Sequence, residues 1–252
     1  MQPLGKSPIT AFFDVDETLI TSNSATIYAA YMAKIGKISR RDILRALWFV
    51  TLHRMNRLDG ESVGRRMIAR GRGTPIEEVR ADCENCFREE LVHYLSDEGV
   101  RAVRAHQAEG HRVVLLSAST QYVCEPLSKF LEIDGAICNE LLDEEGLLTG
   151  TFREPYCYGP GKRVRVEQWA SEHGVDLARS YFYADSVTDL PVLEAVGHPV
   201  PVNPDRELLR EARSRGWPRL RWRRLARSIP PRPLSDTERL MRQFSGRRLP
   251  EA

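Results

Sequence analysis

Two hydrophobic rhythms alternate along this chain. Short, bulky apolar runs bounded by polar or glycine-rich turns read as buried strands at Ile9–Phe13, Arg112–Leu116, Gly135–Asn139, Tyr181–Ala184 and Pro199–Val202. Between them apolar residues recur three and four apart. That spacing predicts helices over Gly99–Glu109, up to about Leu131 with a bend at Pro126, from Lys162 to about His173, and over Leu190–Val196. Leu141–Phe152, with Glu145-Gly146 at its middle, reads as a hairpin, and Leu220–Trp222 as a last edge strand.

Residues 21–95 break the alternation, because no strand pattern interrupts them. Ala25–Lys34 predicts a short helix stopped near Gly36. Ser39 caps a second, with Ile43, Leu44, Leu47, Trp48 and Met55 at helical spacing. Glu61–Arg70 gives a third, closed by Gly71 and Gly73. Thr74-Pro75-Ile76-Glu77 opens a long fourth helix to about Leu95, with Thr at the N-cap, Pro at N1 and Glu at N3. Strands alternating with helices predict an α/β fold, a doubly wound parallel Rossmann-like sheet, with an inserted all-helical cap. The expected division is 1–20 and 96–227 for the core, 21–95 for the cap, and 228–252 for a basic tail.

The polar residues at strand ends carry the candidate chemistry. The first strand runs into Asp14, Asp16, Glu17 and Thr18, and the fourth into Asp185 and Asp189. In an open α/β sheet, ligands bind beyond the carboxyl ends of the strands. Asp14 through its side chain and Asp16 through its backbone carbonyl can share one Mg²⁺, although an isolated D-x-D is also an ordinary polar exit from a strand. Strand two ends in Ser117-Ala118-Ser119-Thr120, and Gly159-Pro160-Gly161 precedes Lys162 at a helix start. Ser117 can alternatively cap the following helix, for which Ser119 and Thr120 are also available. Lys162 can alternatively be a solvated first-turn residue, though the helix dipole disfavours a cation there. Asp189 can serve as the N-cap of Leu190–Val196 while also acting in the pocket.

Composition narrows the partners. No apolar run approaches the roughly 20 residues of a membrane span, and the N-terminal MQPLGKSPI offers no signal-peptide pattern. Five cysteines form no paired framework, and a reducing cytoplasm fits them. The lone Cys83-x-x-Cys86 reads as packed thiols rather than a zinc site. The net charge of +2 is uneven: residues 213–248 hold 12 Arg and 2 acids, leaving −8 for the rest. In the tail, Ser235-Asp-Thr-Glu238 forms a capping box for a short helix to about Phe244. The segment reads as a solvated basic tail against the acidic body, or as a weak contact with an anionic membrane. No nucleic-acid recognition fold accompanies the charge.

The ordered set D-x-D-x-T at Asp14, Ser117, Lys162 and D-x-x-x-D at Asp185 resembles the haloacid dehalogenase superfamily of phosphatases. Its spacing, with a helical cap between the first two motifs, is similar to the phosphoserine-phosphatase-like subgroup (subfamily IB), over residues 9–222. The resemblance implies Asp14 as nucleophile and Asp16 as acid and then base. It implies Mg²⁺ on Asp14, the Asp16 carbonyl and Asp185, with Asp189 in the outer shell or on a metal water. It also implies Ser117 and Lys162 as phosphoryl-binding groups, a bracing role for Thr18, and phosphate contacts from Ala118 and Ser119. The function implied is Mg²⁺-dependent hydrolysis of a small phosphorylated metabolite through an aspartyl-phosphate. Phosphotransfer on the same scaffold, or an idle scaffold recruited by its basic tail to a membrane or partner, are the alternatives. Asn23 stands where the phosphoserine enzymes place a glutamate, and the cap arginine of that group corresponds to Arg66 or Arg65, which can equally be a solvated helix face.

Overall fold

A computed structural model describes residues 9–38 and 60–222. The predicted helix from Ser39, the tail 228–252 and its capping-box helix lie outside the described residues.

The first strand, β1 (Thr10–Phe13), is fully buried and occupies the centre of a five-stranded sheet. Its neighbours are β2 (Arg112–Thr120) and β6 (Tyr181–Ala184), with β3 (Gly135–Asn139) beyond β2 and β7 (His198–Pro201) beyond β6. Every pairing is parallel, with Phe13 opposite both Leu115 and Tyr183. Both faces are covered, which is why the strands read as continuous apolar runs rather than alternating ones. Ala11, Phe13, Val113 and Leu115 face one layer, against Val100 and Val103 of α4 (Asp97–Ala108) and Leu127 and Leu131 of α5 (Gln121–Leu131). Phe12, Val114, Leu116 and Phe182 face the other, against Val166 of α6 (Pro160–His173), Val192 of α7 (Leu190–Leu193) and Leu208 of α8 (Arg206–Ser214). Each large side chain buried this way contributes about 1.5–3 kcal/mol of transfer free energy. The fold is the expected doubly wound α/β sheet. Its order reverses on either side of β1, so a crevice opens at the carboxyl ends of β1 and β6.

Between β1 and β2 the described chain is helical: α1 (Ser24–Lys34), α2 (Gly60–Arg70) and α3 (Ile76–Glu89). The chain leaves and re-enters the sheet through a paired neck, in which Thr21 N–H donates to the Tyr94 carbonyl at 2.8 Å and Ser96 N–H to the Leu19 carbonyl at 2.9 Å. A hairpin of β4 (Leu141–Glu144) and β5 (Leu147–Phe152) turns at Glu145 and Gly146, both at positive φ. It reaches over to the helices: Gly73 N–H donates to the Leu148 carbonyl and Leu148 N–H to the Thr74 carbonyl.

Several local expectations differ from the structure. The long helix to Leu95 ends at Glu89, and a separate 3₁₀ turn covers Leu91–Tyr94, because the neck needs Leu95 extended. Thr74 is not its cap: Pro75 holds that position without a side-chain bond, and Thr74 is drawn into the hairpin contact instead. The next helix starts earlier, at Asp97, because Ser96 accepts from Gly99 N–H. β2 runs on to Thr120, where its polar residues pair with Asn139. Leu190–Val196 shortens to Leu190–Leu193, and the edge strand at Leu220–Trp222 reduces to one bridge between Leu220 and Val202.

Candidate active site

Asp14 follows β1 directly, and its N–H donates to the Tyr183 carbonyl at 2.9 Å, so the sheet itself fixes where its carboxylate starts. The chain then turns within Val15–Leu19, closed by Ile20 N–H on the Val15 carbonyl, with Glu17 in the left-handed region at φ 56. A non-glycine residue held there costs of order 1–3 kcal/mol and is overdetermined by its surroundings; here Glu17 N–H donates to the Ser22 carbonyl.

Lys162 enters from the first turn of α6. Gly159 turns the backbone at φ 52, and a Cβ on Gly161 would lie 2.1 Å from the Tyr156 carbonyl oxygen, so only glycine permits that approach. The Lys162 ammonium donates to Asp14 Oδ1 and to Asp189 Oδ1, each at 2.7 Å, and lies 5.5 Å from the Phe182 ring centroid. Its residue is only 3% exposed. Carboxylate oxygens of Asp14, Asp185 and Asp189 all lie within 4.8 Å of one another. Three carboxylates around one ammonium leave an excess of negative charge in a buried space. Burial, helped by Asp189 and opposed by Lys162, pushes Asp14 up to about 7. Burial and then Asp14 raise Asp185 well above the usual carboxylate range. Burial alone would depress Lys162, but Asp14 and Asp189 outweigh it and the net direction is upward. A set of hard oxygen donors whose negative charge one ammonium does not balance fits a divalent cation such as Mg²⁺, for which Asp14 and Asp185 are suited and Asp189 adjoins.

The Asp16 carboxylate is engaged separately. Its Oδ1 accepts from Ser24 N–H at 2.6 Å and its Oδ2 from the Asn23 amide at 3.4 Å. Burial raises its pKa while the Ser24 bonds oppose that. Asn23 also caps α1, accepting from Thr26 N–H at 3.1 Å. Ser117 is buried at the end of β2 and accepts from Ser119 N–H at 3.1 Å, so it caps this short turn and not α5. Neither Ser119 nor Thr120 caps α5 either: Thr120 stands at the cap position without a side-chain bond, and the Ser119 hydroxyl meets that of Ser24 at 2.9 Å. Asp189 likewise makes no capping bond to α7, being turned to Lys162. The Thr18 hydroxyl is buried without a hydrogen-bond partner among the described residues. Arg66 donates to the Ser62 carbonyl of its own helix. Arg65 instead spans Glu61 and Glu154 and lies over the rings of Phe152 and Tyr156.

Two supporting residues are absent from the sequence reading. Asn139, fully buried, donates to the Ala118 carbonyl at 2.7 Å and accepts from Cys157 N–H at 2.8 Å, holding the loop after Ser117. Asp205 caps α8 and accepts from Val187 N–H at 2.8 Å, while its own N–H donates to the Asp185 carbonyl. An amide closing an apolar strand was the available signal for the first, and an Asp before a helical stretch for the second. The five cysteines are free and buried, and no candidate metal group among the described residues includes Cys83 or Cys86. No described helix is long and apolar enough to cross a membrane.

The pattern that describes haloacid dehalogenase-like hydrolases matches residues 11–194. An "inhibition of morphological differentiation protein" of Streptomyces azureus is 34% identical over 88% of this chain and 84% of its own. A histidinol-phosphatase of Neisseria meningitidis is 29% identical over 84% of this chain and 98% of its own. A solved phosphoserine phosphatase, trapped as an analogue of its phospho-aspartyl intermediate, superposes with a TM-score of 0.61 at 17% identity, covering 83% and 99%. That last likeness is one of fold.

Proposed function

Since the chain belongs to the haloacid dehalogenase-like hydrolases, we propose that it hydrolyses a small phosphorylated metabolite through an aspartyl-phosphate on Asp14. The observation that carries this reading is the buried Lys162 ammonium shared by Asp14 and Asp189 at 2.7 Å, with Asp185 alongside. A phosphate cannot approach three bare carboxylates, but it can approach them once cations offset their charge.

In this reading a carboxylate oxygen of Asp14 attacks phosphorus and the ester oxygen departs with its electron pair. Lys162 orients the attacking carboxylate and offsets the negative charge carried by the phosphoryl oxygens. Ser117, one strand away, donates its hydroxyl hydrogen to a phosphoryl oxygen, with Ala118 and Ser119 lining the same loop. Asp16 delivers a proton to the leaving oxygen and then removes one from the attacking water. Its raised pKa suits both halves of that role, and its bonds to Ser24 and Asn23 aim it. Mg²⁺ held by Asp14, the Asp16 carbonyl and Asp185 would supply the missing positive charge and orient the phosphoryl oxygens.

Asn23 caps α1 and touches Asp16, so it offers no carboxylate to a substrate ammonium. That argues against phosphoserine. The similarity to a histidinol-phosphatase supports a different small phosphorylated alcohol. Release of phosphate from an aryl phosphate with Mg²⁺ present should fall at least roughly 10³-fold in Asp14→Asn, with cooperative unfolding retained. Undiminished turnover in that variant removes the nucleophile assignment. A panel of phosphorylated metabolites, assayed for both free phosphate and isomeric products, separates hydrolysis from phosphotransfer.

A further inference from the structure

A second set of ligating side chains sits at the other end of the sheet. α4 closes in a glycine turn: Gly110, at φ 72, donates to the Gln107 carbonyl at 3.0 Å, and His111 N–H donates to the His106 carbonyl at 2.9 Å. This pair of bonds is a Schellman closure, in which the two outer residues usually bring apolar side chains together. Here both are imidazoles, with their Nδ1 atoms 2.8 Å apart. His106 is 7% exposed, and its Nε2 lies 2.9 Å from the Tyr183 hydroxyl. Glu109, on the same turn, places Oε2 3.6 Å from His111 Nδ1, with its side chain 66% exposed. One ligand atom from each of the three lies within 4.8 Å of the others.

We propose that His106, Glu109 and His111 form a site for a borderline divalent transition metal of the zinc class, held by two imidazole nitrogens and one carboxylate oxygen, with water completing the shell. The donor set selects the ion: imidazole suits zinc, copper and nickel, whereas Mg²⁺ prefers oxygen alone. Two nitrogens on a tetrahedral zinc ion sit roughly 3.3 Å apart, given zinc–nitrogen bonds of about 2.0–2.1 Å. The pair therefore opens by only about half an ångström, within the reach of ordinary side-chain rotation. In the zinc-bound site His106 carries its hydrogen on Nε2 and donates it to the Tyr183 hydroxyl, which fixes that ring with the Nδ1 lone pair turned to the metal, the outer contact that ligating histidines require. His111 then carries its hydrogen on Nε2 as well, so both rings bind neutral through Nδ1. The exposed Glu109 leaves a path in from solvent.

The site is separate from the carboxylate pocket, since His111 precedes β2 whereas Ser117 lies near its far end. Tyr183 touches both: its hydroxyl meets His106, its ring stacks on Phe13 at 4.4 Å, and its carbonyl receives Asp14 N–H.

Equilibrium dialysis of the full chain against zinc, with Mg²⁺ in excess, tests the assignment. Wild type should retain one zinc per chain. His111→Gln and the surface change Glu109→Gln should each weaken retention by at least roughly tenfold, while Asp185→Asn should leave it unchanged. Melting of each variant without metal confirms that it folds. Zinc should raise the melting temperature of wild type but not of His111→Gln. A wild-type chain that retains no zinc overturns the proposal. So does retention that survives His111→Gln and disappears in Asp185→Asn, which would place the ion among the carboxylates.

Discussion

Lys162 and Arg65 each bridge two carboxylates, and their surroundings give those similar contacts different work. Lys162 holds Asp14 and Asp189 in a closed space with 3% of its side chain exposed. Arg65 holds Glu61 and Glu154 on the surface with 39% exposed. In water an ion pair gains little over separate hydrated ions. In the interior, losing one partner strands the other without solvent, so the pair is costly to break even if it was never a good stabiliser. Buried pairs thus hold charge in place for chemistry, while exposed ones tune how surfaces lie together. Arg65 fits the second description: it joins α2 to the end of the hairpin and rests on Phe152 and Tyr156.

The sharpest way to break this contrast is Lys162→Met. Turnover should fall by roughly 10²–10³, and the variant should lose about 3–5 kcal/mol of stability at neutral pH, measured by urea unfolding. A loss no larger than that of Arg65→Ala would erase the distinction between the two sites.

Asn139→Ala comes next. It removes two buried hydrogen bonds without touching a charge, and should cost about 1–3 kcal/mol. It should also lower turnover by loosening the Ala118 carbonyl. Wild-type stability would show that solvent satisfies this loop after all.

A third test sharpens the contrast through pH. Asp14 titrates near 3.8 in the unfolded chain but near 7 when folded without metal, mainly because of burial. Between those values Asp14 binds more protons in the folded state than in the unfolded one, so its contribution to stability, read as wild type against Asp14→Asn without metal, falls as pH rises across this window. Excess Mg²⁺ should flatten that slope. A difference between wild type and Asp14→Asn that instead grows from about pH 4 to 7 would contradict the assigned direction. Taking that difference cancels the opposite slope of His106, whose depressed pKa adds stability as pH rises. The smallest expected effects are on the surface: Arg65→Ala should lower the melting temperature slightly, and Arg66→Ala, whose hydrogen bond among the described residues goes to the Ser62 carbonyl of its own helix, should leave turnover and melting unchanged.

The two ends of the sheet were unequally legible in the sequence. The bulky run before Asp14 and the polar residues closing later strands revealed the sheet and the carboxylate cluster, since strand direction alone brings those ends together. The different settings of Arg65 and Arg66 were hidden, because that of Arg65 depends on where Phe152, Tyr156 and Glu154 arrive from another part of the chain. Thr74 misled for a similar reason: its local capping pattern lost to a long-range bond with Leu148. Asn139 and the His106–His111 pair left weaker traces, since a buried amide or imidazole is informative only once its partners are known. The imidazoles also contrast with the acids electrically. Burial pushes His106 down to about 4, so it stays neutral where the carboxylates crowd charge together.

Ser24 binds Asp16 through its backbone and Ser119 through its hydroxyl, at the very start of α1. One residue therefore ties the turn that carries Asp16, the loop after Ser117 and the first helix of the insertion into one hydrogen-bonded knot. In the proposed mechanism, a displacement of α1 that freed Ser24 would also release Asp16 from the bond that orients it. Under that mechanism, access past α1 and orientation of the acid would be coupled through a single residue.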